Sequence, residues 1–277
     1  MTGARLQVSK AVLLCAVCLT ASCGTPLMKL PAGPGTPAAD GAMVAAEATA
    51  ACSGINSLTL EMSVHGSAQG HRLRGRLTAG LAKPASARLE AVASFGQPLF
   101  VFVARNGDAS VLLPRDDRVL EHGKPEDVLE AVTGVPIDAA GLRSLVSGCT
   151  RSASLDANGL GNVRALGDSW RVAGDENDSV YFQRVTPPGR WRLVATVHPA
   201  GPSGTGWRAE YSMFDDSLPR KVHLVSQPPG RFDLELDLSQ VELNVALEPD
   251  VFRLQPTRAA APITLDELRQ SGPLGQK

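Results

Sequence analysis

Aromatic residues are scarce in this chain, at 4%, and histidine is both scarce and scattered. His65, His71, His122, His198 and His223 fall at no metal-ligand spacing, so no metal centre and no cofactor is expected. A nucleophile elbow is missing too, because the loop GPSGTG (201–206) places Thr205 where G-x-S-x-G needs glycine. Gly159-Leu160-Gly161 has Arg164 at the third glycine position of a dinucleotide fingerprint. Asp175-Glu176-Asn177-Asp178 lacks the spacing and glycine of a calcium loop and reads as an acidic turn. No nucleophile, base and orienter assemble, so an enzyme is not expected. The formal charge of −1 offers no basic face for nucleic acid. No apolar run reaches the roughly 20 residues that a membrane-spanning helix needs, and no internal repeat is visible.

Chemistry is concentrated at the amino terminus. The first ten residues carry Arg5 and Lys10 and no acid, 11–19 is an apolar run, and Thr20, Ala21 and Ser22 are small. That order defines a secretory signal over 1–22. Within it, Cys15 and Cys18 are spaced C-x-x-C, but no second ligand pair follows, so they are passive apolar residues of a segment that is removed. Leu19-Thr20-Ala21-Ser22-Cys23 resembles a bacterial lipobox, with Thr20 where such motifs usually have leucine. The resemblance makes Cys23 a lipid anchor and the membrane a partner; cleavage after Ser22 without lipidation is the alternative. Removing 1–22 takes away two bases and no acid, which moves the formal charge from −1 to −3. Cys52 and Cys149 then remain as an even pair in an oxidising compartment. A disulfide between them would contribute about 4.7 kcal/mol in the chain-entropy picture; two buried free thiols are the alternative.

Residues 23–40 are rich in Pro, Gly and Ala and read as a tether, and 41–277 as a single domain with a C-terminal extension. The domain opens with a helix-prone stretch ended by Gly54. Strict apolar–polar alternation follows at 58–65 and recurs at 87–92 and 232–238. Residues 99–104 are apolar on both faces and should be covered on both sides. Short helices are expected at 125–132, which starts with proline and acids, and at 139–146, capped by Asp138, with Leu142, Leu145 and Val146 on one face. A last capped helix is expected at 264–270. About eleven strand signals and few helices indicate an α+β domain built on a large curved antiparallel sheet. The acids Asp233, Glu235 and Asp237 form a solvated strand face in this reading.

One region carries a more specific resemblance. Phe95-Gly96 before an apolar strand, a weak strand pair, a helix running into Thr133-Gly134-Val135-Pro136-Ile137, and a helix with Leu142-Arg143 ending at Gly148 are similar to the LolA/LolB-like lipoprotein-sorting family, nearest within it to the LolB receptor. Pro219 before a strand and the alternating 232–238 extend the likeness to about 56–245. The resemblance implies an unclosed antiparallel β-barrel with helices as a lid over an apolar cavity. It also implies cargo made of lipoprotein or lipid acyl chains, a periplasmic LolA-like carrier as partner, and a place on the periplasmic face of the outer membrane. Gly24 after the anchor cysteine, rather than Asp, resembles an outer-membrane export signal. Phe95 becomes the membrane-contact residue, with tucking under its own loop as the alternative. Leu58, Leu60, Leu89, Leu99, Val101, Leu193, Leu234 and Leu236 become candidate cavity lining, with an ordinary packed core as the alternative. A non-carrier structural or docking lipoprotein is the competing function.

Overall fold

The computed structural model describes residues 26–92, 98–149, 163–174, 178–185, 189–200, 204–256 and 259–272. The signal segment, Cys23 and Phe95 lie outside the described residues. In chain order, β1 (Thr36–Pro37) and α1 (Gly41–Ala48) precede two 12-residue strands, β2 (Ser57–Ala68) and β3 (His71–Ala82). Next come β4 (Ser86–Val92), β5 (Val101–Arg105), β6 (Asp108–Leu113) and β7 (Arg118–Gly123), then helices α2 (Pro125–Thr133) and α3 (Ala139–Ser147). The second half holds β8 (Arg164–Ala165), β9 (Trp170–Gly174), β10 (Ser179–Val185), β11 (Arg190–His198), β12 (Gly206–Ser212), β13 (Lys221–Gln227) and β14 (Phe232–Leu243). A 3-10 turn (Pro249–Phe252), β15 (Ala261–Pro262) and α4 (Leu265–Ser271) complete it. Among the described residues no helix is long and apolar enough to cross a membrane.

All the strands belong to one sheet, in the order β1-β8-β9-β10-β11-β12-β13-β14-β2-β3-β4-β5-β6-β7-β15. Neighbours are antiparallel except β15 and β7, and the two ends of the order do not pair, so the curved sheet stays open. The 15 strands among the described residues correct the expected eleven or so. β1, β8 and β15 have two residues each, too few for alternation to register.

Alternation sorts the two faces. Leu58, Leu60, Met62 and Val64 of β2 all point to the buried concave face. The opposite face carries a cross-strand ion pair, Lys221–Glu235 at 2.7 Å, and cross-strand hydrogen bonds between His65 and Asp237 at 2.7 Å and between His223 and Asp233 at 2.8 Å. The acids of β14 thus lie on the outer face, each with a basic neighbour. Curvature is helped by Gly66, whose φ of +139° and whose missing Cβ let the carbonyl of Asp233 approach to where a side chain would stand.

Both faces of β5 are covered, as its sequence requires, because the 3-10 turn packs over β4 and β5 and Arg88 donates to the carbonyl of Val251 at 3.0 Å. Thr264 and Glu267 form a reciprocal capping box on α4. The Thr264 backbone N–H, helped by Arg118, holds the Glu267 carboxyl down at about 2. At the other end, within the stretch read as a tether, the Met28 N–H donates to both carboxylate oxygens of Glu210 at 2.9 and 3.0 Å, while Arg208 grips the Met28 carbonyl. β1 then pairs with β8, so 26–40 lies along the sheet.

A Cys52–Cys149 disulfide joins the segment after α1 to the end of α3, with Cα atoms 5.6 Å apart at a sequence separation of 97. Replacing both cysteines by serine should lower unfolding free energy by about 2–4 kcal/mol; urea denaturation of the double variant against the oxidised parent measures it.

Candidate functional site

α2 and α3 form a two-helix cover over the concave face. α2 starts at Pro125 with Glu126 and Asp127 in its first turn, and buries Val128, Leu129, Ala131 and Val132. It ends at Gly134, whose φ of +80° gives the left-handed cap that lets its N–H reach the Glu130 carbonyl at 2.7 Å. Thr133 locks the corner: its hydroxyl donates to the Leu129 carbonyl at 2.7 Å and accepts from the Val135 N–H at 3.2 Å. Asp138 then caps α3 by accepting from Gly141 N–H at 2.6 Å. The segment Thr-Gly-Val-Pro-Ile-Asp is therefore a built corner that turns Val135 and Ile137 inward.

Beneath the corner lies an apolar cleft. Its floor comes from five adjacent strands: Leu224 of β13, Leu234 and Leu236 of β14, Met62 and Val64 of β2, Leu73 and Leu77 of β3, and Leu89 of β4. Its roof is Leu129, Val135, Ile137, Leu142 and Leu145, with Thr133 the one polar side chain among the described wall residues. The free volume is about 50 Å³, little more than the space of one or two waters and far below the roughly 300 Å³ of a small ligand pocket. The roof is closed onto the floor. Glu130 of α2 is latched to Arg231, in the β13–β14 turn, at 2.8 Å.

A second space, of about 330 Å³, opens beside the cleft between α3 and strands β11 and β12. Ile137 and Leu145 line both spaces and form the partition between them. Its other described walls mix Pro136, Gly141 and Cys149 with polar and aromatic side chains. His198 pairs with Asp178 at 2.9 Å and stacks on Trp207, ring centroids 5.4 Å apart. Tyr211, hydrogen-bonded to Thr196, is buried, and burial pushes its hydroxyl up to about 12.

Of the residues singled out in the sequence, Leu89, Leu234 and Leu236 meet in the cleft. Leu58 and Leu60 share the concave face of β2 but lie in the packed core beyond the cleft wall, as does Leu193 of β11. Leu99 is half-buried against that core. Val101 pairs with Glu90 and so faces the convex side, while Phe102 pairs with Leu89. The roof residues were not singled out as lining, although the apolar face of Leu142 and Leu145 is the signal that finds two of them. The vestibule depends on His198 facing Trp207 across β11 and β12, a register the sequence does not print. Among the described residues no group of three or more His, Cys, Asp or Glu side chains is placed to hold a metal ion.

Tyr211 supplies a test of this packing. Its folded-state hydroxyl titrates above the unfolded value near 10, so the stability it contributes is present below pH 10 and is lost as pH rises towards about 12. In a Tyr181→Phe variant, where Tyr211 is the remaining tyrosine of two, tyrosinate absorbance should be absent at pH 10.5 in the folded protein and present in urea.

No family model matches the chain, and no curated protein does. Solved structures do. A LolA superfamily protein from Nitrosomonas europaea superposes with a TM-score of 0.52 at 12% identity, over 79% of this chain and 98% of that one. A domain assigned to outer membrane lipoprotein sorting from Vibrio parahaemolyticus gives 0.43 at 14% identity, over 77% and 96%. The lipoprotein LppX of Mycobacterium tuberculosis gives 0.32 at 12% identity, over 75% and 98%. The chain shares its fold with the LolA superfamily protein: an open, curved sheet with helices across its concave face.

Proposed function

We propose that this protein is a lipid-anchored carrier or receptor for acyl chains, LolB-like in its role, that works without covalent catalysis. The observation that carries the reading is the cleft itself. Thirteen of its fourteen described wall residues are apolar, and its roof is two short helices rather than a continuous layer of the sheet. A chain entering between roof and floor replaces one apolar contact by another. Burial at about 0.8 kcal/mol per methylene supplies the drive. In this reading Cys23 holds the protein on the periplasmic face of the outer membrane, a LolA-like carrier delivers lipoprotein acyl chains, and Phe95 is the residue that touches the bilayer. The fold shared with the LolA superfamily protein supports the lipid-binding part.

A second reading is favoured by one observation. At about 50 Å³ the cleft is filled by its own walls, as in a structural or docking lipoprotein with a packed core. Titration with a fluorescent sixteen-carbon fatty acid separates the two. A carrier gives saturable binding, weakened about tenfold or more by Leu236→Trp, a substitution that fills the cleft at about 1–3 kcal/mol of overpacking. A docking protein gives no saturable binding to the folded parent chain.

A further inference from the structure

We propose that the outer face of β3 is a membrane-docking surface, on which Arg74 and Arg76, with Arg72 beside them, take the anionic head groups of the bilayer that holds the anchor. It rests on the membrane anchoring proposed above and is independent of acyl binding in the cleft.

The alternation of β3 creates the surface. Leu73 and Leu77 turn to the buried face, so Arg72, Arg74 and Arg76 stand together on the outer one, all three exposed. Outward residues along a strand repeat every 7 Å or so, roughly two residue rises, close enough for neighbouring guanidinium groups to meet one lipid surface. Directly opposite them on β2 are Ser67, His65 and Ser63, none of them an acid. On the other side Arg76 faces Val92 of β4, which is 40% exposed. The sequence that follows, Ala-Ser-Phe-Gly-Gln at 93–97, contains no acid either. Among the described residues of β2 and β4 the nearest acids are Glu61 and Glu90, one row further on beside Thr78, and Glu90 is held by Arg88 at 2.7 Å. The acids of β14 lie two strands away, where Lys221, His65 and His223 engage them.

The amino-terminal segment brings the same face towards the membrane. Met28 is docked on Glu210 of β12 by its backbone N–H. The register runs from Glu210 to His223, Glu235, His65 and Arg74, so the docking point and Arg74 occupy one row across the outer face. Four strand spacings separate them, about 19 Å, and an anchor at Cys23 is at most about 18 Å of chain from Met28. The arginines are therefore within reach of the bilayer plane that the anchor enters. A lipid chain combined with a basic patch is one of the two-signal arrangements that give stable attachment. Each basic side chain near an anionic surface raises binding about fivefold. The whole chain has a formal charge of −1, so a preference for anionic lipid has to come from a local patch rather than from net charge.

The test offers the full-length chain two vesicle populations at once. One is sucrose-loaded phosphatidylcholine with a minority of phosphatidylglycerol, the other unloaded phosphatidylcholine alone, and sedimentation reads how the chain divides between them. At about 0.1 M salt the parent should favour the anionic vesicles about tenfold or more, and at about 1 M salt the preference should fade. Arg74→Gln/Arg76→Gln should cut the preference to about threefold or less. Arg105→Gln/Lys124→Gln removes the same charge at the far end of β5 and before α2, and should leave the preference unchanged. If the Arg74/Arg76 double variant does not fold, Arg74→Gln alone, at an exposed position, should still lower the preference by about fivefold. No preference in the parent, or an equal loss in the two double variants, would overturn the docking proposal and leave anchoring standing. Loss of the anchor instead weakens binding to both populations together and leaves their ratio as it was. Failure to associate with either population would overturn both.

Discussion

The concave face of the sheet is apolar along β13, β14, β2, β3 and β4, and it must be kept from water by whatever crosses it. Two nine-residue helices and their corner do most of this. Each buried Leu, Ile or Val of the roof is worth about 1.5–3 kcal/mol when removed from water. The five apolar roof residues thus stabilise the closed form by an amount comparable to the gross gain of about 11 kcal/mol from burying a sixteen-carbon chain. Neither side overwhelms the other. A roof that trades its contact with the floor for contact with a chain exposes little new apolar surface in the exchange.

Several features decide where such a roof can give. The disulfide pins the end of α3 to the segment after α1, and α2 is held by α4 and by the Glu130–Arg231 pair. That pair is half-exposed on the arginine side and therefore weak. The Thr133–Asp138 corner carries its own hydrogen bonds. The amino-terminal strap is fixed on the opposite face by Glu210 and Arg208, away from the roof. An anchor at Cys23 would follow from Met28 by only five residues of chain, at most about 18 Å, so the domain would sit close to its membrane.

Local rules carried far in the sequence. The Asp138 cap, the Thr264–Glu267 box and the alternation of β2 and β14 are each decided within a few residues, and each is found in place. What depends on pairing register was not legible. Val101 and Phe102 are both apolar, and only the partner strand shows that Phe102 shares the face of Leu89. The two-residue strands exist because longer neighbours template them. Leu58 and Leu60 satisfy the same alternation as Met62 and Val64, yet only the latter lie under the roof, since position along a strand is invisible to a period-2 pattern. The vestibule is assembled from Asp178, β11, β12 and the two helices, and no local motif announces it.

The proposed acyl binding requires the roof to move, since the closed cleft is too small for a chain. Pulsed electron resonance between spin labels at Glu126→Cys on α2 and Pro229→Cys in the β13–β14 turn, both exposed positions, measures it directly. Adding palmitate should move the distance distribution to a longer mean in proportion to the fraction of protein with bound chain. A distribution that stays unchanged while the chain is bound would contradict the account.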